Sequence, residues 1–349
     1  MKRVKIGHKI VGEESPVFII AEAGVNHNGD IRRALALIDK AAEAGADAVK
    51  FQNFKAENIV TGRAQKADYQ KKTTGTADSH YQMLKQLELK DSDFKRLVDY
   101  AQKKNILFLS TPYDEQSIEL LCEIGVQAFK IASAEIVNGK LIAYMATKGK
   151  PIILSTGMAT LGEVEESLST IKAQGAKEIV LLHCITNYPA NGGDMNLKAM
   201  QTLQCAFRFP VGLSDHTTGL TIPIAAVALG ACMIEKHFTL DKHLPGPDHK
   251  ASLEPHEFQE MVKAIREVEQ ALGNGVKAPT KEEEKIKRIM RRCIVAQIEI
   301  TKGTVLNDAM LTTKRVGRGL EPKYLSQVRG RKAIKNIKKD EAITWANIA

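Results

Sequence analysis

Eight short apolar segments recur along the first two thirds of the chain, and each ends on a polar or charged residue. Runs this short and rich in Ile, Val, Leu and Phe are typical of buried parallel strands. Segments with helical spacing separate them, so the pattern predicts a (β/α)8 TIM barrel, an α/β fold. The predicted strands are Val17–Glu22, Ala46–Gln52, Ile106–Thr111, Ala128–Ser133, Pro151–Thr156, Ile179–Cys184, Val211–His216 and Cys232–His237.

The segments between the strands carry helix start and stop signals. Asn28 and Gly29 predict a turn, after which Asp30 can cap a helix that ends at Gly45. Two longer segments interrupt the alternation of strands and helices; they follow the second and eighth strands and comprise Lys55–Leu87 and Leu240–Glu254. Loops of this length at the top of a barrel usually cover a site.

The pattern changes after Leu272, which predicts a barrel domain over residues 1–272, a linker over 273–290 and a small β-rich domain over 291–349. In the last domain, Ile300–Asn307 and Ile337–Thr344 look like two copies of one turn-and-strand unit. So small a domain is expected to have little core of its own and to lean on the barrel or on another subunit.

Composition narrows the class of protein. The chain has 349 residues, 44% of them hydrophobic, and no apolar run long enough for a membrane helix or a secretory signal, so we expect a cytoplasmic protein that is not bound to a membrane. The five cysteines have no CxxC spacing, which argues against disulfides and structural zinc. The net charge of +9 is concentrated after Gly275, but few aromatic residues accompany it, so an anionic small substrate is favoured over nucleic acid.

Active sites of TIM barrels form where the strands end. The side chains at these ends are Glu22, Lys50, Lys130, Ser133, Ser155, His183, Ser214, His216 and His237. His216 and His237 end neighbouring strands, so their imidazoles can share a Mn, Zn, Fe or Co dication, although two hydrogen-bonded core histidines would fit the same pattern.

Lys50 and Lys130 lie inside apolar runs, where an unpaired ammonium group is costly. Each can form a Schiff base with a carbonyl substrate, neutralise a bound anion together with the nearby serines, or pair with Glu22 or Glu135. Two lysines with three serines suit the holding of an anion better than one deprotonated amine. The carboxylates Glu22, Glu135 and Glu235 are expected to be ionised, and any of them can move a proton or hold a sugar hydroxyl.

Nearly the whole chain resembles the sialic acid synthase family, and its C-terminal part resembles the antifreeze-like (SAF) domain of these enzymes. The motifs are AEAGVNHNG (21–29), VKFQ (49–52), FLSTPYD (108–114), ILSTGMA (153–159), LLHC (181–184), GLSDHT (212–217), EKHFTLD (235–241), GPDH (246–249) and KRVGRGLEP (314–322).

The resemblance implies a transferase that condenses phosphoenolpyruvate with N-acetylmannosamine to give N-acetylneuraminate and phosphate. In such a reaction C3 of phosphoenolpyruvate attacks the sugar aldehyde, water adds at C2, and phosphate leaves by C–O cleavage. Two alternatives stay open. One is an N,N'-diacetyllegionaminate synthase, whose acceptor is a 6-deoxy sugar with two acetamido groups; the other is a carbohydrate-binding protein without catalysis.

The resemblance also assigns roles to individual residues. His216 and His237 would hold a divalent metal, Mn²⁺ first, with Mg²⁺ or Co²⁺ as alternatives, to polarise the aldehyde oxygen. Glu135 is a candidate proton carrier. The positions that match phosphoenolpyruvate contacts are Lys50, Lys130, Ser133, Ser155 and Ser214, and those that match sugar contacts are Glu22, Gln52, Tyr188 and Asp248.

Arg315 matches an arginine that reaches into the barrel of the other subunit, which implies a domain-swapped homodimer. Three positions depart from the family pattern. Val316 replaces a proline after Arg315, Arg318 is an extra cation nearby that could substitute for Arg315, and Ala134 replaces the glycine of a Ser-Gly-Glu motif. Around Ile185–Tyr188 the match is loose, so a donor from that loop is left open.

Overall fold

The computed structural model describes residues 3–75 and 78–349 and divides into two compact units, Met1–Gly273 and Asn274–Ala349. The segment predicted as a linker, residues 273–290, includes the helix Lys281–Met290 and falls almost entirely in the second unit. No helix in the described part of the chain is both long and apolar enough to cross a membrane.

The first unit contains a short antiparallel hairpin followed by a closed barrel of eight parallel strands, so the predicted fold is confirmed. The barrel strands follow one another around the barrel in chain order, and the last pairs with the first. The hairpin strands are β1 (Val4–Ile6) and β2 (Lys9–Val11); the barrel strands are β3 (Phe18–Gly24), β4 (Ala48–Asn53), β5 (Leu107–Pro112), β6 (Phe129–Ile131), β7 (Ile152–Ser155), β8 (Ile179–Cys184), β9 (Val211–Asp215) and β10 (Met233–His237).

Helices connect the barrel strands and cover the outside of the barrel, while three additional short helices lie in the insertion after β4. The helices of this unit are α1 (Ile31–Glu43), α2 (Ala56–Ile59), α3 (Asp68–Thr74), α4 (His80–Leu87), α5 (Asp91–Lys103), α6 (Glu115–Glu123), α7 (Gly139–Ala146), α8 (Leu161–Ala173), α9 (Ala199–Phe207), α10 (Thr221–Ala228) and α11 (Pro255–Leu272).

Alternation along the strands sorts side chains between two apolar regions. Outward residues such as Ile19 and Val49 pack with the helices in one large cluster. Inward residues such as Phe18 and Ile20 form a second cluster, which also contains Val4, Ile6 and Val11 of the hairpin. The hairpin, which the sequence analysis missed, therefore seals one end of the barrel interior.

The predicted turn before α1 is confirmed in detail. Asp30 caps the helix, with Oδ1 accepting from the Arg32 amide at 2.8 Å. Asn28 and Gly29 both have positive φ, at 50° and 74°. A Cβ atom on Gly29 would lie 2.5 Å from the Gln86 carbonyl oxygen, so glycine is needed for conformation and for space.

The second unit has its own apolar core, centred on residues such as Ile294, Leu306 and Val328. Its regular elements are α12 (Lys281–Met290), β11 (Cys293–Ala296), β12 (Leu311–Lys314) and α13 (Leu325–Val328). The two runs predicted to be copies of one unit pair with each other. Ile300 and Ile337 exchange amide-to-carbonyl hydrogen bonds of 2.9 and 2.8 Å.

Candidate active site

A cavity of about 300 Å³ opens at the carboxyl ends of the barrel strands. Twelve of the thirteen residues predicted for the site line it. They are Glu22, Lys50, Gln52, Lys130, Ser133, Glu135, Ser155, Tyr188, Ser214, His216, His237 and Asp248. The thirteenth, Arg315, is exposed in the segment after β12 and belongs to the second unit.

Strand register explains why the ionisable residues converge. Glu22 on β3 lies beside both Lys50 on β4 and His237 on β10. Glu235, two residues before His237, points to the same side of β10 and lies beside Ser214 on β9. Four consecutive neighbours in the barrel therefore direct charged or polar groups into its interior.

The two lysines are already paired with carboxylates. Lys50 Nζ lies 2.8 Å from Glu22 Oε2 and 3.6 Å from Glu235 Oε2. Lys130 Nζ donates to Ser155 Oγ at 2.7 Å and lies 3.7 Å from Glu235 Oε1. The ion pair with Glu22 that was predicted as an alternative is present, and Glu235 is shared by both lysines.

Glu135 takes no part in this cluster, although the sequence analysis named it as a possible lysine partner. It lies at the cavity edge, where its Oε2 accepts a hydrogen bond from Asn138 Nδ2 at 2.8 Å.

Burial and the ion pairs shift the pKa values of the cluster in different directions. Burial raises the pKa of Glu22, although Lys50 opposes this effect. The pKa of Glu235 is lowered because Lys130, Lys50 and Ser214 outweigh its burial. Burial lowers the pKa of Lys130, whereas the two glutamates outweigh burial and raise that of Lys50. Glu22 is therefore the carboxyl group of the pair that is easier to protonate.

Hydroxyl groups lie on the opposite side of the cavity floor. Ser133 Oγ accepts from the Gly157 amide at 3.0 Å, and its side chain also forms a hydrogen bond with Cys184. Thr186 Oγ1 is buried without a hydrogen-bond partner in the described structure. A Cβ on Gly157 would lie 2.3 Å from Thr186 Oγ1 and 2.7 Å from Ser133 Oγ, so only glycine fits between them. In this loop, where a donor was left open, Thr186 places this hydroxyl group at the cavity.

His216 and His237 lie side by side, with ring centroids 5.2 Å apart. His216 Nδ1 lies 2.6 Å from the Ile185 carbonyl oxygen, so it must donate, and Nε2 has a lone pair when the ring is neutral. Burial acts to lower the pKa of His216, but Cys184 and the Ile185 carbonyl outweigh burial and raise this pKa. His237 Nδ1 is buried without a partner in the described structure, and burial holds the pKa of this histidine well below its usual value. In their neutral forms both imidazoles can present a lone pair to a cation, and a cation at this position would displace the proton that His216 otherwise holds more readily.

These two histidines fit a divalent metal ion as a partial ligand set. Within residues 3–75 and 78–349, no group of three or more His, Cys, Asp or Glu side chains is arranged to hold a metal. The protein therefore offers two nitrogen ligands, and water or substrate oxygens would complete the coordination.

An aromatic stack links the insertion to the histidines. Tyr188 packs on His216, with centroids 4.0 Å apart, and Tyr69 of α3 stacks on the other side of Tyr188 at 5.2 Å. Residues of α3 and α4 line the cavity, as predicted for a covering segment. Residues 76 and 77 of this insertion lie outside the described residues.

The other predicted sugar contacts lie close by. Gln52 Nε2 donates to Glu22 Oε1 at 3.2 Å, so these two predicted sugar-binding groups already contact each other. The carboxyl group of Asp248 is buried in the cavity; burial and the charge of Glu22 raise its pKa to about 7.

His183 does not belong to the site, although it was predicted among the strand-end residues. It alternates with Leu182 and Cys184, so it points away from the barrel interior, and its Nε2 lies 2.7 Å from the Met195 carbonyl oxygen. The neighbouring Cys184 faces the cavity instead, with Sγ 3.8 Å from His216 Nδ1.

Comparison with known proteins agrees with this geometry. Residues 37–277 match the NeuB family. The chain belongs to the NeuB family. Residues 291–349 match the SAF domain, which confirms the predicted class of the C-terminal domain.

Named members of the NeuB family are similar over almost the full chain. The N,N'-diacetyllegionaminic acid synthase of Campylobacter jejuni is 52% identical over 93% of this chain and 98% of its own length. The enzyme of the same name from Legionella pneumophila is 45% identical over 98% of this chain and 97% of its own length. The crystal structure of N-acetylneuraminic acid synthetase from Leptospira borgpetersenii has a TM-score of 0.72 and 39% identity, covering 83% of this chain and 97% of that one. The chain is thus a transferase of the sialic acid synthase type rather than a non-catalytic binding protein.

Proposed function

We propose that this NeuB family member condenses phosphoenolpyruvate with a 2,4-diacetamido-6-deoxymannose to form N,N'-diacetyllegionaminate and phosphate. The proposed reaction type is supported by the convergence of two lysines, buried hydroxyl groups and two histidines on one cavity. The choice of acceptor is supported by the two relatives named as legionaminic acid synthases. N-acetylmannosamine, the acceptor favoured by sequence analysis, is the second candidate.

In this proposal the floor of the cavity binds the anionic substrate. Lys50 and Lys130 lie where they can exchange part of their pairing with Glu22 and Glu235 for carboxylate and phosphate oxygens. The hydroxyl groups of Ser133 and Thr186 add neutral donors nearby. C3 of phosphoenolpyruvate then bonds to the aldehyde carbon, water adds at C2, and the C2–O bond to phosphate breaks.

In this proposal the two histidines and the predicted sugar contacts would hold the sugar. His216 and His237 are the residues that would hold a divalent cation, which supplies charge to polarise the aldehyde oxygen when it is bound. Gln52, Glu22 and Asp248 lie where they can accept or donate hydrogen bonds to sugar hydroxyl and amide groups.

The first test is phosphate release from phosphoenolpyruvate with each of the two acceptors. We expect turnover with the diacetamido sugar, loss of activity with a chelator and recovery with Mn²⁺. His216→Ala or His237→Ala should lower kcat by about a thousandfold or more, with unchanged circular dichroism. Absence of phosphate release with every acetamido sugar contradicts the proposal.

The lowered pKa of Lys130 also favours testing a Schiff-base aldolase as a second mechanism. Treatment with borohydride and pyruvate should leave the protein mass unchanged. A covalent adduct on Lys50 or Lys130 would instead show that a lysine acts as the nucleophile.

A further inference from the structure

One wall of the cavity is apolar and is formed by a hydrophobic cluster that is separate from the barrel core. Every member of this cluster also lines the cavity that contains His216 and His237. We call it the apolar wall, and its residues are Val25, Phe54, Ile59, Met83, Leu84, Leu87 and Tyr113.

The insertion after β4 supplies most of this wall. Met83 and Leu87 are one helical turn apart on α4 and are 4% and 7% exposed. The same helix begins at a capping box in which Ser79 Oγ accepts from the Gln82 amide at 3.2 Å. Phe54 and Tyr113 meet edge to face, with centroids 6.2 Å apart, so the wall is a packed surface.

The wall has no cationic group to receive an anion. The lysines that line the described cavity are Lys50 and Lys130, and both lie in the charge cluster on the floor. Lys66, also in the insertion, lies 2.7 Å from Asp78 and is not among the lining residues. Burial lowers the pKa of His80, the histidine beside the wall, which favours its neutral form. Apart from the Tyr113 hydroxyl the wall has no polar side chain, so a phosphate placed here would lose water without a charged partner, and a hydroxyl beside Met83 or Leu84 would lose water without a hydrogen bond.

We propose that the apolar wall contacts the C6 end of the acceptor and selects a 6-deoxy sugar over the 6-hydroxy and 6-phosphate forms. This inference rests on the proposed function, which places the aldehyde carbon at His216 and His237. The inference places the opposite end of the open-chain sugar at the apolar wall, which lines the same cavity. A C6 methyl group gains by burial against Met83 and Leu84, whereas a C6 hydroxyl gives up hydrogen bonds to water.

The test compares two acceptors that differ by one oxygen atom, N-acetylmannosamine and its 6-deoxy analogue. We expect kcat/KM to be at least about tenfold higher for the 6-deoxy sugar. Leu84→Gln places an amide in the wall and should lower this ratio at least about threefold. The ratio does not depend on the fraction of folded enzyme, so partial unfolding of the variant does not affect it.

Leu229→Gln is the matched control, because Leu229 is 40% exposed and lies just before β10, at the far end of the barrel. It should leave the ratio unchanged. A wild-type ratio near one, faster turnover of N-acetylmannosamine 6-phosphate, or equal effects of the two leucine variants would overturn the inference alone. Absence of phosphate release with every acceptor would overturn the proposed function and this inference with it.

Discussion

At the scale of single residues, Asp248 shows how burial changes the chemistry of a carboxyl group. Its pKa is raised from 3.8 to about 7, chiefly by burial and secondly by Glu22, while His216 opposes the shift. Between these two pH values the folded protein binds a proton that the unfolded chain has released. The stability of the ligand-free enzyme should therefore fall as the pH rises through this window.

Asp248→Asn removes this titration and should raise the free energy of unfolding more at pH 8.5 than at pH 5.5. We expect the two gains to differ by about 1–2 kcal/mol, measured by urea unfolding of chelator-treated protein. Asp99→Asn, at an exposed position on α5, is the control and should show no such difference. Equal gains at both pH values would contradict the assignment.

The identity of most cavity residues was accessible from the sequence, but the choice among their possible pairings was not. Pairing of Lys50 with Glu22 was one of several alternatives left open. Their ion pair depends on the register of β3 and β4, which no local pattern specifies. Thr186 was missed although it is two residues after the inward-facing Cys184, so the period of two could have found it.

At the scale of secondary structure, a buried ion pair joins the ends of β9 and β10 behind the site. Lys236 Nζ lies 2.6 Å from Asp215 Oδ2, and both side chains are fully buried. Lys236 also donates to the Thr217 carbonyl oxygen, and Asp215 accepts from the Thr217 amide at 2.9 Å. These outward residues alternate with inward ones, so the pair holds the strand ends that carry His216 and His237.

Asp215→Asn leaves the Lys236 ammonium buried without its counter-charge. We expect the free energy of unfolding to fall by about 3–5 kcal/mol in urea denaturation. The double variant Asp215→Asn with Lys236→Met should recover part of this loss. Glu57→Gln, which removes an exposed pairing with Lys85, should leave the free energy of unfolding almost unchanged. An equally small loss of stability for Asp215→Asn would show that the ion pair does not hold β9 and β10 together.

Elements were predictable where the apolar pattern was long enough. All eight barrel strands coincide with the apolar runs because burial on both faces needs continuous apolar sequence. The hairpin of β1 and β2 was missed because strands of three residues give almost no periodic signal. The helices α2, α3 and α4 were missed because their short sequences are mostly polar.

At the scale of the whole molecule, the excess of positive charge lies in the second unit, where Arg315 and Arg318 are exposed. The family resemblance assigns Arg315 to the sugar site of a partner subunit. Arg315→Ala should therefore raise KM for the sugar about tenfold and change KM for phosphoenolpyruvate less than about twofold. Arg318→Ala is the control and should leave the KM for the sugar unchanged. Light scattering of the unsubstituted protein should give twice the mass of one chain. Equal losses for both substrates would contradict this role.

The hairpin at the closed end of the barrel affects how ligands enter and leave the cavity. The end opposite the strand-end cavity is closed by the hairpin residues Val4, Ile6 and Val11, which pack with inward-facing barrel residues. The cavity is therefore reached from the strand ends. A molecule held at Lys50 and Lys130 then has to pass the residues of the insertion on its way in and out. A ligand that binds last against those residues blocks the exit of a ligand beneath it, so we expect ordered kinetics in which the deeper ligand binds first and is released last.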